Sequence, residues 1–133
     1  MNDVKTYIVD THALVWFLEG DSRLSITARD ALSNPIVQLV IPTIVLAEIT
    51  FLYAKHRITI GLAEVHTHIA SVANCIIYPL DEVVVDYIPT TLDIHDAIIV
   101  ATALTFSDVL EENTAIITKD AKIKASGWLM WLK

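Results

Sequence analysis

Four acidic residues, Asp10, Glu48, Asp96 and Asp120, occupy the positions of this sequence where chemistry is expected. Asp10 directly follows one short apolar run, and Asp120 comes shortly after another. Glu48 and Asp96 lie on otherwise apolar stretches with helical periodicity. Ligands of open parallel sheets bind outside the carboxyl ends of the strands. Such a fold would therefore bring the four carboxylates to one edge of the sheet.

Carboxylates that converge in this way must be neutralised. Two of them about 4 Å apart repel each other by roughly 4 kcal/mol at an effective dielectric constant of about 20, and four would require protons or cations. Oxygen ligands suit a hard divalent cation such as Mg²⁺ or Mn²⁺. The pattern therefore indicates a site for one or two divalent metal ions.

Each acid also has an ordinary structural interpretation. Asp10 and Asp120 could cap the helices that follow them, and capping is the favoured interpretation of Asp93 at the start of a helix. Glu48 lies on a helix that is apolar on nearly every side, where a carboxylate is seldom buried without a partner. Its ordinary interpretation is an ion pair with a Lys or Arg. The combination of four acids favours the metal site.

The elements that must position these acids alternate short apolar runs with longer helical patterns, which predicts an α/β fold with a parallel sheet. The predicted strands cover residues 7–9, 37–41, 76–78, 115–118 and 128–132. The predicted helices cover residues 11–19, 43–56, 61–73, 81–87 and 93–105, with Thr43 as a cap, and a further helix capped by Ser25 runs to residue 33.

The composition fits one domain spanning residues 1–133. Hydrophobic residues make up 54% of the chain and the mean hydropathy is +0.55, yet Glu48 and Pro42 interrupt the most apolar stretch, so we expect no membrane span. The first residues do not resemble a signal peptide, and the single cysteine, Cys75, suits a reducing cytosol. We therefore expect a cytoplasmic protein.

The formal net charge of −7 argues against a general nucleic-acid binder, which usually presents a basic face. Two bound divalent ions would move this charge to about −3. Part of the acidity is therefore attributable to the predicted site itself.

Four segments together resemble the motifs of PIN-domain proteins, in the family's order and across nearly the whole chain. They are YIVDTHALVW at residues 7–16, VLAEI at 45–49, DIHDAIIVATA at 93–103 and IITKD at 116–120. Within that family the sequence is most similar to the VapC-type toxins of bacterial and archaeal toxin–antitoxin pairs.

The resemblance implies a three-layer α/β/α sandwich and an endoribonuclease that depends on Mg²⁺ or Mn²⁺. It assigns Asp10, Glu48, Asp96 and Asp120 to the catalytic, metal-binding site. It also implies supporting roles for three further residues, namely Asp93, Thr11 and Thr118. RNA as substrate, a cognate antitoxin as inhibitory partner and a homodimer follow from the same resemblance.

Other side chains near the motifs have less defined roles. His12 and His95 neighbour the acids and are interpreted as surface or partly buried residues. Lys119, Lys122 and Lys124 lie near the fourth motif and could contact an RNA backbone, although a solvated helix surface is favoured for the last two.

One departure from the family pattern leaves an alternative open. Many relatives place Arg after the acid of the third motif, whereas this chain has Ala97. Together with the acidic net charge, the missing cation leaves open a non-catalytic PIN-like module that binds a partner. A haloacid-dehalogenase-like phosphatase fits less well, because it would require a second acid at the position of His12.

Overall fold

The centre of the fold is a five-stranded sheet in which every strand pair is parallel. The computed structural model describes residues 4–119 and the strand residues 130–132. The sheet order is β3-β2-β1-β4-β5. The strands are β1 (Thr6–Val9), β2 (Gln38–Pro42), β3 (Cys75–Tyr78), β4 (Thr114–Ile117) and β5 (Met130–Leu132).

The chain reverses its direction of travel across the sheet between β1 and β4. From β1 it proceeds outward to β2 and β3, and it then returns to add β4 on the other side of β1. The register pairs Ile8 of β1 with Val40 of β2 and with Ile116 of β4. A ligand-binding crevice is expected at the carboxyl ends of strands at such a switch point.

Within residues 4–119, six α-helices lie between β1 and β4 in the chain and flank the sheet. They are α1 (Thr11–Glu19), α2 (Ile26–Ser33), α3 (Thr43–Ala54), α4 (Leu62–Ser71), α5 (Glu82–Asp86) and α6 (Ile94–Leu104). Ser25 Oγ accepts a hydrogen bond from Ala28 N at 3.1 Å, so the predicted cap of α2 is confirmed. Gly20 ends α1 with a φ of 68°, in the left-handed region that favours glycine.

The core lies on both faces of the sheet, because adjacent residues of one strand point to opposite sides and are equally buried. Ile8 and Val9 of β1 are both 0% exposed, and all four residues of β4 are buried. Helix α6 is buried from Ala97 to Ala103 and packs against β1, β4 and α3. This burial accounts for the high hydrophobic content of the chain. Among the described residues, no helix has both the length and the apolarity that a membrane span would require.

These observations confirm the predicted three-layer α/β/α fold with a parallel sheet. One local prediction was wrong. Thr43 does not cap α3, because Pro42 holds the cap position and Thr43 is the first helical residue. The last predicted helix ends at Leu104, close to the predicted residue 105, and is followed by a π-helical segment, Thr105–Val109, that the sequence pattern did not indicate.

Candidate active site

Asp10 lies at the switch point, directly after β1, and its carboxylate is held by two donors. Its Oδ1 accepts a hydrogen bond from Thr11 N at 2.6 Å, and its Oδ2 accepts one from the Thr118 hydroxyl at 2.5 Å. Its own backbone N–H donates to Ile117 O at 3.0 Å, which joins it to β4. Asp10 is 8% exposed. Asp10 therefore caps α1, and it also lies at the carboxyl end of β1, where the sequence placed it.

Glu48 lies on α3 and meets Asp10 through Thr11. The Thr11 hydroxyl donates to Glu48 Oε1 at 3.0 Å, while the Thr11 backbone N–H donates to Asp10. Thr11 is 1% exposed, so the contact is shielded from water. One buried threonine thereby connects two carboxylates that lie 38 positions apart in the numbering.

The ionisable side chain that contacts Glu48 is not the predicted Lys or Arg. Glu48 Oε2 lies 3.6 Å from His95 Nδ1, and within residues 4–119 Glu48 forms no ion pair with a Lys or Arg. His95 belongs to the first turn of α6, so this contact joins α3 to the segment that carries Asp96. His95 was interpreted as a surface or partly buried residue, and its side chain is 55% exposed. The contact with Glu48 was not predicted, although the position of His95 beside Asp96 was an available signal.

Glu48 is in an environment that disfavours its negative charge. Burial, the largest cause, raises the pKa of its carboxyl above the usual value, and the nearby Asp10 raises the pKa further. The Thr11 hydrogen bond and the neighbouring His95 act in the opposite direction. A cation bound between the two carboxylates would remove the conflict, because it would stabilise the charged form of both.

Two of the other predicted acids, Asp93 and Asp96, lie at the start of α6. Asp93 occupies the N-cap position of α6 but makes no side-chain capping hydrogen bond to that helix, so the favoured capping interpretation is wrong for its side chain. Asp96 lies in the first turn of α6 and is half-buried. Asp120 lies outside the described residues, as do Lys122 and Lys124.

The donor chemistry of the linked pair suits a hard cation. Mg²⁺ is commonly bound by one or two carboxylates, with water and substrate phosphates completing its coordination, and Asp10 and Glu48 supply that number. Within the part of the chain that is described, no three His, Cys, Asp or Glu side chains are gathered in a metal-holding group. The pair is suited to an ion whose coordination is completed by water and by a substrate phosphate.

Two cavities adjoin at Leu52, which lines both. The first, of about 310 Å³, lies along α3 and is lined by Glu48, His95 and Phe51 among others. The second, of about 330 Å³, contains His12, Trp16 and Lys119. Burial is the largest cause that lowers the pKa of His12, followed by the positive charge of Lys119. Sequence analysis did not identify Trp16, although its helical spacing of four from His12 places the two rings on one face of α1.

Comparison with known proteins shows what the chain is similar to. The model of the PIN domain family matches residues 7–129. No match was found among curated proteins.

Three solved structures share the fold. VapBC2 from Rickettsia felis, crystallised with a DNA fragment from its promoter, matches with a TM-score of 0.65 and 15% identity over 96% of this chain and 97% of that one. VapBC-1 from nontypeable Haemophilus influenzae matches with a TM-score of 0.62 and 16% identity over 96% and 97% of the two chains. A toxin–antitoxin complex from Klebsiella pneumoniae matches with a TM-score of 0.59 and 21% identity over 96% of each chain.

Proposed function

The chain belongs to the PIN domain family, and from that premise we propose that it is a metal-dependent endoribonuclease that hydrolyses RNA phosphodiester bonds. We further propose that it is the toxin of a toxin–antitoxin pair. The proposed catalytic and metal-binding residues are Asp10, Glu48, Asp96 and Asp120, with support from Asp93, Thr11 and Thr118. The proposed cofactor is Mg²⁺ or Mn²⁺.

The observation that carries this proposal is the connection of Asp10 to Glu48 through Thr11. Two carboxylates are held close to one another at the switch point, and the pKa of Glu48 is raised by burial and by Asp10. Without a cation, replacing one of the two acids with a neutral residue would remove their repulsion and stabilise the protein. A cation bound by both carboxylates would remove the same repulsion, so the pair is the arrangement that a cation site requires.

Each residue of the linked group has a distinct part in the proposed chemistry. The Thr118 hydroxyl and the Thr11 N–H orient the Asp10 carboxylate, and both donors favour its charged form. The Thr11 hydroxyl orients Glu48 in the same way. A divalent ion bound there would lower the pKa of a water nucleophile and stabilise negative charge on the reacting phosphate. The carboxylates need not transfer protons themselves.

The proposal of an antitoxin partner has separate support. The three similar folds described above come from VapBC or toxin–antitoxin complexes. The cavity along α3 is bordered by Phe51, which is 67% exposed, so an apolar segment of a partner could pack there beside Glu48. A homodimer and a cytoplasmic location are part of the same proposal.

A second candidate function is a non-catalytic PIN-like module that binds a partner. It is favoured by Ala97, which replaces a cation of many relatives and is 2% exposed, so this position faces the interior. The acidic net charge of −7 supports the same alternative. Metal binding without cleavage of any RNA would distinguish this module from the nuclease.

The decisive experiment is cleavage of a mixed pool of single-stranded and structured RNA with Mn²⁺, Mg²⁺ or EDTA. Asp10→Asn is the test variant, and Asp30→Asn, an exposed acid on α2, is the matched control for loss of one charge. Cleavage that requires metal and is lost only in Asp10→Asn supports the proposal. Absence of cleavage in the wild type, with or without metal binding, would assign the chain to the second candidate.

A further inference from the structure

The cavity beside α1 gathers positive charge in a chain that is acidic overall. Arg23, Arg57 and Lys119 all line it, and these are three of the six Lys and Arg residues in the described part of the chain. The whole sequence has a formal net charge of −7. Half of the described basic side chains therefore line one cavity of about 330 Å³.

The indole ring of Trp16 holds two of these cations. Arg23 Cζ lies 4.8 Å from the ring centroid and Lys119 Nζ lies 5.4 Å from it. Both distances fall within the range of cation–π attraction. Because the ring restricts two flexible side chains, the cations are arranged before any ligand arrives, which reduces the entropic cost of binding.

Two acids lie among the cations, and both are already engaged. The Glu19 carboxylate accepts hydrogen bonds from Thr59 N at 2.9 Å and from the Thr59 hydroxyl at 2.6 Å. Asp21 pairs with Arg23 at 2.7 Å. Within residues 4–119, Arg57 and Lys119 form no ion pair with an acid. These two are therefore the cations with the most capacity for an external anion.

The cavity adjoins the proposed catalytic group. Lys119 follows Thr118, whose hydroxyl holds Asp10. His12, two positions after Asp10, also lines the cavity. Leu52 lines both this cavity and the cavity that Glu48 lines.

Building on the proposed function, we propose that this cavity binds backbone phosphates of the RNA strand next to the bond that is cut. Arg57 and Lys119 contact the phosphates, and Trp16 acts as a positioning residue for Lys119 and Arg23. Contacts to phosphate carry no sequence information, so the cavity contributes affinity and register rather than base specificity.

Binding is tested in the Asp10→Asn background, so that the RNA stays intact. A fluorescent single-stranded RNA is titrated by anisotropy with Mg²⁺ at several KCl concentrations. We expect Arg57→Ala and Lys119→Ala each to weaken binding several-fold and to reduce the slope of log K against log salt by about 0.7, the value for one phosphate contact on a single strand. Lys5→Ala, at the amino end of β1, is the control and should leave the slope unchanged.

A second pair of variants tests the role of Trp16. Trp16→Leu removes the aromatic face without changing any charge, and it should weaken binding and lower the salt slope. Trp16→Phe retains a ring and should restore part of both. Melting temperatures are measured for each variant, since Trp16 packs against the core. Equal binding by folded Leu and Phe variants would overturn the positioning role.

The outcomes separate this inference from the ribonuclease proposal. In the cleaving protein, which retains Asp10, loss of the cavity cations should raise KM for RNA with little change in kcat. If the wild type cleaves RNA and the Arg57 and Lys119 variants bind it as Lys5→Ala does, the cavity inference is overturned and the nuclease stands. RNA binding through the cavity by a protein that never cleaves would support the cavity and overturn the nuclease. Absence of both binding and cleavage would overturn both.

Discussion

The Thr118 hydroxyl donates a 2.5 Å hydrogen bond to Oδ2 of Asp10, across 108 positions of the chain. Both residues stand at the carboxyl ends of paired strands, β4 and β1, where the chain reverses its course across the sheet. Thr118 is 0% exposed, so the bond forms in a site with little water. The Asp10 carboxylate is thus oriented by two separate segments, namely the start of α1 through Thr11 and the residue after β4, Thr118.

Removing that donor should disturb both stability and activity. Thr118→Val leaves Asp10 Oδ2 without this partner, and loss of a buried hydrogen bond to a charged group costs about 1.5–3 kcal/mol. We expect a lower midpoint of urea unfolding and reduced RNA cleavage. Thr118→Ser retains the hydroxyl and is the control. Valine and serine variants of equal stability would show that the hydroxyl contributes little.

Replacement of Glu48 should stabilise the protein in the absence of metal. The pKa of Glu48 in the folded state is raised above its usual 4.5, so its stabilising contribution is present below pH 4.5 and is lost as the pH rises through the folded-state value. Charged Glu48 is therefore unfavourable at neutral pH. Glu48→Gln should melt at a higher temperature than the wild type at pH 7, and the difference should shrink as the pH falls toward 4.5.

The pH dependence distinguishes an effect of the Glu48 charge from an effect of packing. A glutamine that stabilises equally at pH 4 and pH 7 would act through packing rather than through charge. Lower stability of Glu48→Gln at pH 7 would mean that the hydrogen bond from Thr11 to Glu48 outweighs the cost of burial.

Divalent metal should stabilise the wild type by binding the folded state alone. A ligand at about 100 times its dissociation constant contributes about 2.7 kcal/mol, so millimolar Mg²⁺ or Mn²⁺ should raise the melting temperature. The shift should be absent in Asp10→Asn and in Glu48→Gln, and present in Asp30→Asn. An equal shift in all four proteins would indicate a nonspecific ionic effect.

Asp96→Asn should lose activity while the protein remains folded. Asp96 lies in the first turn of α6, next to the His95 that contacts Glu48. If it binds the metal, cleavage should fall by at least about 100-fold, since even indirect disturbance of metal ligands costs about 10–100-fold. Asp86→Asn, an exposed acid on α5, is the control. Unfolding of Asp96→Asn, seen by circular dichroism, would instead give Asp96 a structural role.

Cys75 should be chemically inert in the native protein. It is 9% exposed on β3, and burial raises the pKa of its thiol to about 11. At pH 8 only about one thiol in a thousand would be ionised, and the thiolate is the reactive form. A chromogenic disulfide reagent should react with native protein at least about 100-fold more slowly than with protein in guanidinium chloride. Similar rates would contradict the buried position.

Local elements of this fold were predictable because their causes lie within one or two turns of chain. The bounds of α1 and the Ser25 cap are confirmed, since periodicity and capping depend on near neighbours. Thr43 was predicted wrongly because its hydroxyl accepts from Leu80 N, a partner 37 positions away. The π-helical segment after α6 includes Phe106, which packs against Tyr78 of β3 with ring centroids 4.8 Å apart.

By itself, the sequence determined the order of the elements, their apolar faces and the acids that follow the strands. The assignment of Asp10, Glu48, Asp96 and Asp120 to a catalytic site remains a prediction, and Asp120 lies outside the described residues. Only the tertiary structure decided which side chains meet, such as Glu48 with His95 and Lys119 with Trp16. Hydrogen bonds and charge contacts act over a few ångströms between segments far apart in the chain, and no local pattern of residues records those distances.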